Sequence, residues 1–354
     1  MSEFAGQPEV EGTPVSLPES VEAELVEAGT VQPGAVEYVT VKPSPVVHAY
    51  GEPPSTPLRE GAQLSLFAMV PDGTGDIQVP PPLPTVDRHP NLADVAILFA
   101  LLTMSTFVSS GALGVIAYFH LFGIRSFDAL KYNTGLGLAL ELMIYVVALT
   151  AAIPIFRSAW QTKFFKGVHW NSATAFRMRG RLVGAALFAN VLSFLGGLLV
   201  PSPKDSPIEK MFSSPANAWM LFAFGVTVAP FFEELLFRGF LLPAIATSWD
   251  WCRERFTGTR PHPLDAGGNP VWSMPAMVCA ALVASMPFAL IHAPQVAWSW
   301  GALALLYCVS LVLSAVRLTT RSLAASTIVH SAYNSLIFLL MLVQTGGFRH
   351  FDKM

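Results

Sequence analysis

Two glutamates and an arginine sit inside an otherwise apolar run, Pro230-Phe-Phe-Glu233-Glu234-Leu-Leu-Phe-Arg238-Gly239-Phe240. A charged side chain at bilayer depth costs about 2.5–3.5 kcal/mol on insertion scales, so three of them together require a reason. Helical spacing sorts them. Glu234 and Arg238 are four apart, share a face and can pair. Glu233 points about 100° away on a helix of 3.6 residues per turn and has no local cation. One carboxylate is thereby neutralised while its neighbour is left for chemistry. Pro230, just upstream, is expected to kink the helix and open backbone carbonyls to a cavity. Two further apolar runs place polar residues at the same four-residue spacing, His292 after Phe288 in Phe288-Ala-Leu-Ile-His292 and Asn334 after His330 in His330-Ser-Ala-Tyr-Asn334. One Glu and two His could ligate a divalent metal, or a Glu–His couple could activate water directly. Asn334 could donate a hydrogen bond to an oxyanion.

Each pair alone has an ordinary explanation. The Glu–Arg couple could be a structural ion pair. His292 precedes Pro294 near a helix end, where an imidazole sits comfortably at an interface. His330 and Asn334 could simply bond across helices. The combination on three separate segments favours a site. Glu141, within Leu-Ala-Leu-Glu-Leu-Met-Ile, is a further intramembrane carboxylate. It could line the cavity or pair with Asn190, and a structural role is the first expectation.

The elements that must position these groups are membrane helices. Hydrophobic residues make up 53% of the 354 and charged ones 13%, against about 25% charged in an ordinary soluble domain. Runs long enough to cross a bilayer, about 20 apolar residues each, are expected near 92–121, 134–156, 182–200, 216–248, 272–292, 297–316 and 322–343. Helices are the default because backbone in lipid must satisfy itself, and no barrel-type alternation is present. The expected fold is an all-α, multi-pass transmembrane bundle of about seven spans, with the site in its interior. Trp298 and Trp300 read as interface anchors. The net charge of −3 argues against nucleic-acid binding. Cys252, Cys279 and Cys308 lack C-x-x-C spacing and read as small buried hydrophobes.

Four regions are expected. Residues 1–90 form an acidic, Pro-rich tail with too little apolar periodicity to order, ending in the stiff run Pro80, Pro81, Pro82 and Pro84. Residues 91–212 form the first transmembrane helices, 213–346 the site-bearing core, and 347–354 a C-terminal tail. The start, MSEFAGQPEVEG, has no basic and apolar leader, so the first span is expected to act as an uncleaved signal. The loop holding Arg157, Lys163, Lys166, Arg177, Arg179 and Arg181 is the most basic and is expected to be cytoplasmic. Alternation then puts Arg253, Arg255, Arg260, Arg317, Arg321 and the N-terminal tail on the same side. The balanced loop Lys204 to Lys210 falls outside, as do Arg125 and Lys131, which run against the rule.

Glu-Glu-x-x-x-Arg, Phe-x-x-x-His and His-x-x-x-Asn, in this order on separate spans, resemble the signature of the CPBP family of intramembrane proteases. That family includes the CAAX prenyl endopeptidases and the bacteriocin self-immunity proteins. The likeness runs from about Ala216 to Gln344 and includes Phe237-Arg238-Gly239 and Arg321-Ser322-Leu323. It implies peptide-bond hydrolysis in a membrane-associated, CAAX-like or otherwise anchored substrate. By likeness, Glu233 and His292 activate water, Glu234 with Arg238 orders the site, and His330 and Asn334 hold the oxyanion or a metal. The metal set would be Glu233, His292 and His330, with Zn²⁺ or another divalent ion. The resemblance leaves open whether an ion takes part. The expected partners are the bilayer and a membrane-anchored protein or peptide, and the expected location is a bacterial cytoplasmic membrane. The alternatives are a non-catalytic immunity or scaffold protein of this fold, and a proton-coupled transporter. No inverted repeat supports the last.

Overall fold

The computed structural model describes residues 90–121, 133–200, 211–212, 214–258 and 271–349. The acidic tail, its proline run, Arg125, Lys131, Arg260 and the loop Lys204 to Lys210 lie outside these. Among the described residues there is helix and no strand. Seven helices are long and apolar enough to cross a membrane, as the apolar runs require.

Helix α1 spans Leu92–Tyr118 and α2 spans Thr134–Trp160. Two short helices, α3 (Phe164–Gly167) and α4 (Ser172–Arg177), fold the basic connection, followed by α5 (Arg179–Leu199). Helix α6 runs without a break from Pro215 to Thr257. Helices α7 (Met274–Ile291), α8 (Trp300–Thr320) and α9 (Leu323–Gln344) complete the bundle. Starts are set by short polar residues whose side chains accept an orphan N–H of the first turn: Asn91, Asn133, Ser214, Ser273, Ser299 and Ser322. At α1 the cap is reciprocal, since Asp94 also accepts from the Asn91 N–H at 2.8 Å.

Helix α1 packs on α2, α7 on α8 and on the second half of α6, and α5 against α8 and α9. Helix α9 also touches α6, so it lies inside the bundle. Phe237, Phe288, Leu313, Val329 and Tyr333 form one apolar core. Phe156, Trp160, Phe164, Phe240 and Leu323 form a second, aromatic one. Phe348, assigned by sequence to a C-terminal tail, is instead buried with its ring against Trp219. The cysteines are free, as expected, but none is buried: Cys252 is exposed and the other two are partly covered.

Helix α6 has 43 residues, about 65 Å at 1.5 Å per residue, twice the roughly 30 Å hydrocarbon core. The helix is also wound unevenly. Phe224–Val228 and Leu235–Leu241 are π turns, a form that concentrates at functional sites. A proline, Pro230 or Pro243, stands two residues beyond the end of each. The Ala229 N–H reaches back five residues to the Phe224 carbonyl, and the Leu242 N–H to that of Phe237. In that register the next carbonyls, Gly225 and Arg238, face a proline that has no N–H to offer. Side chains from other helices supply the missing donors. Asn334 Nδ2 donates to the Gly225 carbonyl at 2.7 Å, and Arg317 Nε donates to that of Arg238 at 3.2 Å. The expected irregularity at Pro230 is therefore a wide turn that is repeated at Pro243.

Candidate active site

The two wide turns bracket Glu233 and Glu234, which close the α-helical segment Ala229–Glu234. Glu234 turns inward and is fully buried, as is Arg238. Arg238 Nη1 donates to Glu234 Oε1 at 3.0 Å, the pair expected from the spacing. Its Nη2 is held by the Ser310 carbonyl at 2.9 Å and Ser310 Oγ at 2.6 Å. Ser310 of α8 thereby satisfies one of the guanidinium's nitrogens, while Glu234 Oε2 and Arg238 Nε have no hydrogen-bond partner among the described residues.

His330 Nδ1 lies 3.1 Å from the same Glu234 oxygen. A carboxylate can only accept, so Nδ1 is the donor, and in the neutral ring Nε2 then carries the lone pair. His292 caps α7, where its Nδ1 donates to the Phe288 carbonyl at 2.8 Å. Its Nε2 is likewise left with a lone pair. Both free nitrogens face one atom, Glu233 Oε2, at 3.9 Å from His292 and 3.7 Å from His330. Phe288 fixes the rings from behind. Its centroid lies 5.1 Å from that of His292 and 5.8 Å from that of His330, with the Arg238 guanidinium over its face at 4.5 Å.

Five of the six residues singled out by sequence thus meet in one cluster: Glu233, Glu234, Arg238, His292 and His330. Three lone-pair groups converge without a donor among them, at separations too long for direct hydrogen bonds. Such a point attracts something electropositive: a water giving both its protons, a proton, or a cation. The donor types, two imidazoles and a carboxylate, match a catalytic divalent set. Each imidazole is oriented through its other nitrogen, as metal-ligating histidines are. Tetrahedral ligands at about 2.1 Å stand about 3.4 Å apart, so the spacing here is a few tenths of an ångström wide. No His, Cys, Asp or Glu group among the described residues is closed to metal-holding spacing.

Asn334 sits one turn beyond His330 and spends one N–H on the Gly225 carbonyl. Replacing it by Leu leaves that carbonyl without its donor, at a cost of about 1–3 kcal/mol. In a Pro230→Ala background residue 230 regains an N–H, so the loss should shrink. Unfolding midpoints of the two single variants and the double variant in detergent measure this coupling, and strict additivity would contradict it.

Glu233 is one-sixth exposed and, among the described residues, is the sole charged group lining a cavity of about 70 Å³. The walls are apolar side chains of α1, α2, α6 and α7, among them Leu98, Leu102, Leu149 and Ile291. Tyr145 also lines it, stacks on Phe232 at 4.4 Å and donates to Glu141 at 2.8 Å. Glu141 therefore pairs with its own helix neighbour. Asn190, its alternative partner, donates instead to the Ala186 and Tyr333 carbonyls. Sequence reasoning passed over Tyr145 and Ser310, which carry no local signal. It read Arg317 as a loop cation, whereas the residue lies within α8 and is 1% exposed. An arginine in the last turn of an apolar helix is ordinarily a snorkelling end residue, and only the Arg238 carbonyl explains this one.

Residues 215–336 match the family model described as type II CAAX prenyl endopeptidase Rce1-like. The match contains every member of the cluster and Asn334, and excludes α1, α2 and α5. No curated protein and no solved structure is significantly similar to the chain.

Proposed function

From the match of residues 215–336 to the family model described as type II CAAX prenyl endopeptidase Rce1-like, we propose that this multi-pass membrane protein is an endopeptidase of that family with Glu233, His292 and His330 as its hydrolytic centre. The observation that carries the reading is the convergence of two imidazole Nε2 atoms on Glu233 Oε2. A water held there donates to Glu233 and is turned by the histidines toward the scissile carbonyl. Glu233 takes its proton as the oxygen adds to carbon, and returns it to the leaving amine as the C–N bond breaks. Glu234, fixed by Arg238, holds His330 in the tautomer this requires. The second N–H of Asn334 is the donor for the developing oxyanion. A Zn²⁺ or similar ion, if held by Glu233, His292 and His330, would supply Lewis acidity and a more acidic water.

The substrate reading follows from the cavity beside Glu233. Its wall is apolar, and part of it comes from α1 and α2, so it suits a chain carrying a greasy group next to the cleaved bond. A membrane-anchored, CAAX-like peptide is the substrate class proposed. We place the protein in a bacterial cytoplasmic membrane with its N-terminal tail inside, following the basic connection between α2 and α5.

The test uses the full chain in detergent and a farnesylated peptide ending in Cys-aliphatic-aliphatic-X. Mass spectrometry should detect the released tripeptide with the wild type. His292→Ala and His330→Ala should each lower the rate by about 10²-fold or more. Wild-type rates in both variants would end the proposal. A chelator arm reads metal dependence separately, since restoration by added Zn²⁺ identifies the ion. Leu149→Trp, which fills the cavity, should raise KM for the farnesylated peptide with kcat little changed. An unaltered KM would move the lipid-binding wall elsewhere.

A further inference from the structure

Glu141 lies outside the hydrolytic cluster, on a helix that the family match excludes, and the reaction as described gives it no part. A carboxylate at bilayer depth costs about 2.5–3.5 kcal/mol on insertion scales. The bond it accepts from the Tyr145 hydroxyl at 2.8 Å offsets about 1.5–3 kcal/mol of that. An apolar residue would suit α2 at least as well unless the pair is used. Helical periodicity puts Glu141 and Tyr145 on one face of α2. That face continues through Ala148, Leu149 and Ala152, which with Tyr145 line the cavity beside Glu233.

Tyr145 is fixed at both its ring and its hydroxyl. The ring stacks on Phe232 at 4.4 Å with an interplanar angle of 16°, and Phe232 is the residue next to Glu233. The hydroxyl proton is committed to Glu141 Oε1. A phenolic oxygen both donates and accepts, so the Tyr145 oxygen still has acceptor capacity. The described wall of the cavity holds two polar side chains, Tyr145 and Glu233. Both Tyr145 and Glu141 lie within electrostatic reach of Glu233, and Glu141 also within that of His292. An oriented acceptor and the proton-transferring carboxylate thus share one wall.

We propose that Tyr145 is a further catalytic residue, its oxygen accepting the N–H of the scissile amide, and that Glu141 positions it. The inference rests on the hydrolysis proposed above. In the intact amide the nitrogen lone pair is delocalised into the C–N bond and takes no proton. As the water oxygen bonds to the carbonyl carbon, the nitrogen becomes pyramidal. Its lone pair must then point at Glu233, which returns the proton taken from water. The N–H already present is turned away from Glu233 and needs an acceptor there. Tyr145 supplies one, so the lone pair is aimed as it forms. The electron pair of the breaking C–N bond stays on nitrogen, and the amine leaves with its original hydrogen and the one from Glu233. Glu141, behind the phenol, favours the positive charge that collects on this nitrogen before the bond breaks.

The experiment compares two substrates of the full chain in detergent: the farnesylated peptide, and its analogue with an ester oxygen in place of the scissile N–H. The ester offers Tyr145 nothing to accept. Tyr145→Phe keeps the ring and its stack on Phe232, and should lower the amide-to-ester ratio of kcat about 10-fold. Glu141→Leu, which frees the phenol, should lower the ratio to a similar degree. Glu141→Gln still offers the phenol an acceptor oxygen and should recover most of what Glu141→Leu loses. A structural role predicts a different pattern, with amide and ester rates falling together and the ratio unchanged. That result, wild-type rates on both substrates in Tyr145→Phe, or a Gln variant as impaired as the Leu variant overturns the inference. Cleavage of both substrates by the wild type and of neither by Glu233→Gln sustains the hydrolytic reading whatever Tyr145→Phe does. A wild type that cleaves neither substrate removes that reading and this inference together.

Discussion

Glu233→Gln should abolish hydrolysis of the farnesylated peptide while leaving the bundle folded, with a rate loss of about 10³-fold or more. The change is isosteric and removes the one group positioned to take a proton from water. Both facing nitrogens stay where Phe288 and Glu234 hold them, because neither bond involves Glu233. The residue is partly exposed and pairs with no buried cation, so its unfolding temperature should move little. An active variant would assign the proton transfer to another group. A variant that lost activity and fold together would make Glu233 a structural residue.

Arg238→Met is the opposite case, with a large expected effect on stability. It strips the fully buried Glu234 of its cation and leaves Ser310 Oγ and a backbone carbonyl without their donor. Breaking a buried ion pair from one side costs about 3–5 kcal/mol. Adding Glu234→Gln to Arg238→Met should recover a substantial part of that loss, because no uncompensated charge then remains inside. Unfolding in detergent compares the two singles and the double. If the double variant is less stable than Arg238→Met alone, burial of a lone carboxylate is not the cause. Activity should be low in all three, since the partner that orients His330 is either replaced or no longer fixed by Arg238.

The two experiments separate roles that sequence spacing had already separated. Adjacent glutamates on one helix cannot share an environment. One is inside with its arginine and the other faces a cavity.

Much of this was legible in the residues because a bilayer narrows the choices. Apolar runs of sufficient length must be helices, and ionisable groups within them must be sheltered. Composition and spacing therefore determined the seven spans and the Glu234–Arg238 pair, while the grouping of Glu233 with His292 and His330 came from the family resemblance. Tertiary structure alone decided the rest, because it depends on what stands across a gap from what. Two prolines set the wide turns of α6. No local pattern says that Asn334 and Arg317 would fill the bonds those prolines leave open. Glu141 found its partner, Tyr145, one turn along its own helix, where the sequence had offered Asn190. Ser322 and Leu323 bond back to a loop some 150 positions earlier. Sequence distance carries no information about that contact, since its energy comes from groups that meet only when the bundle has closed.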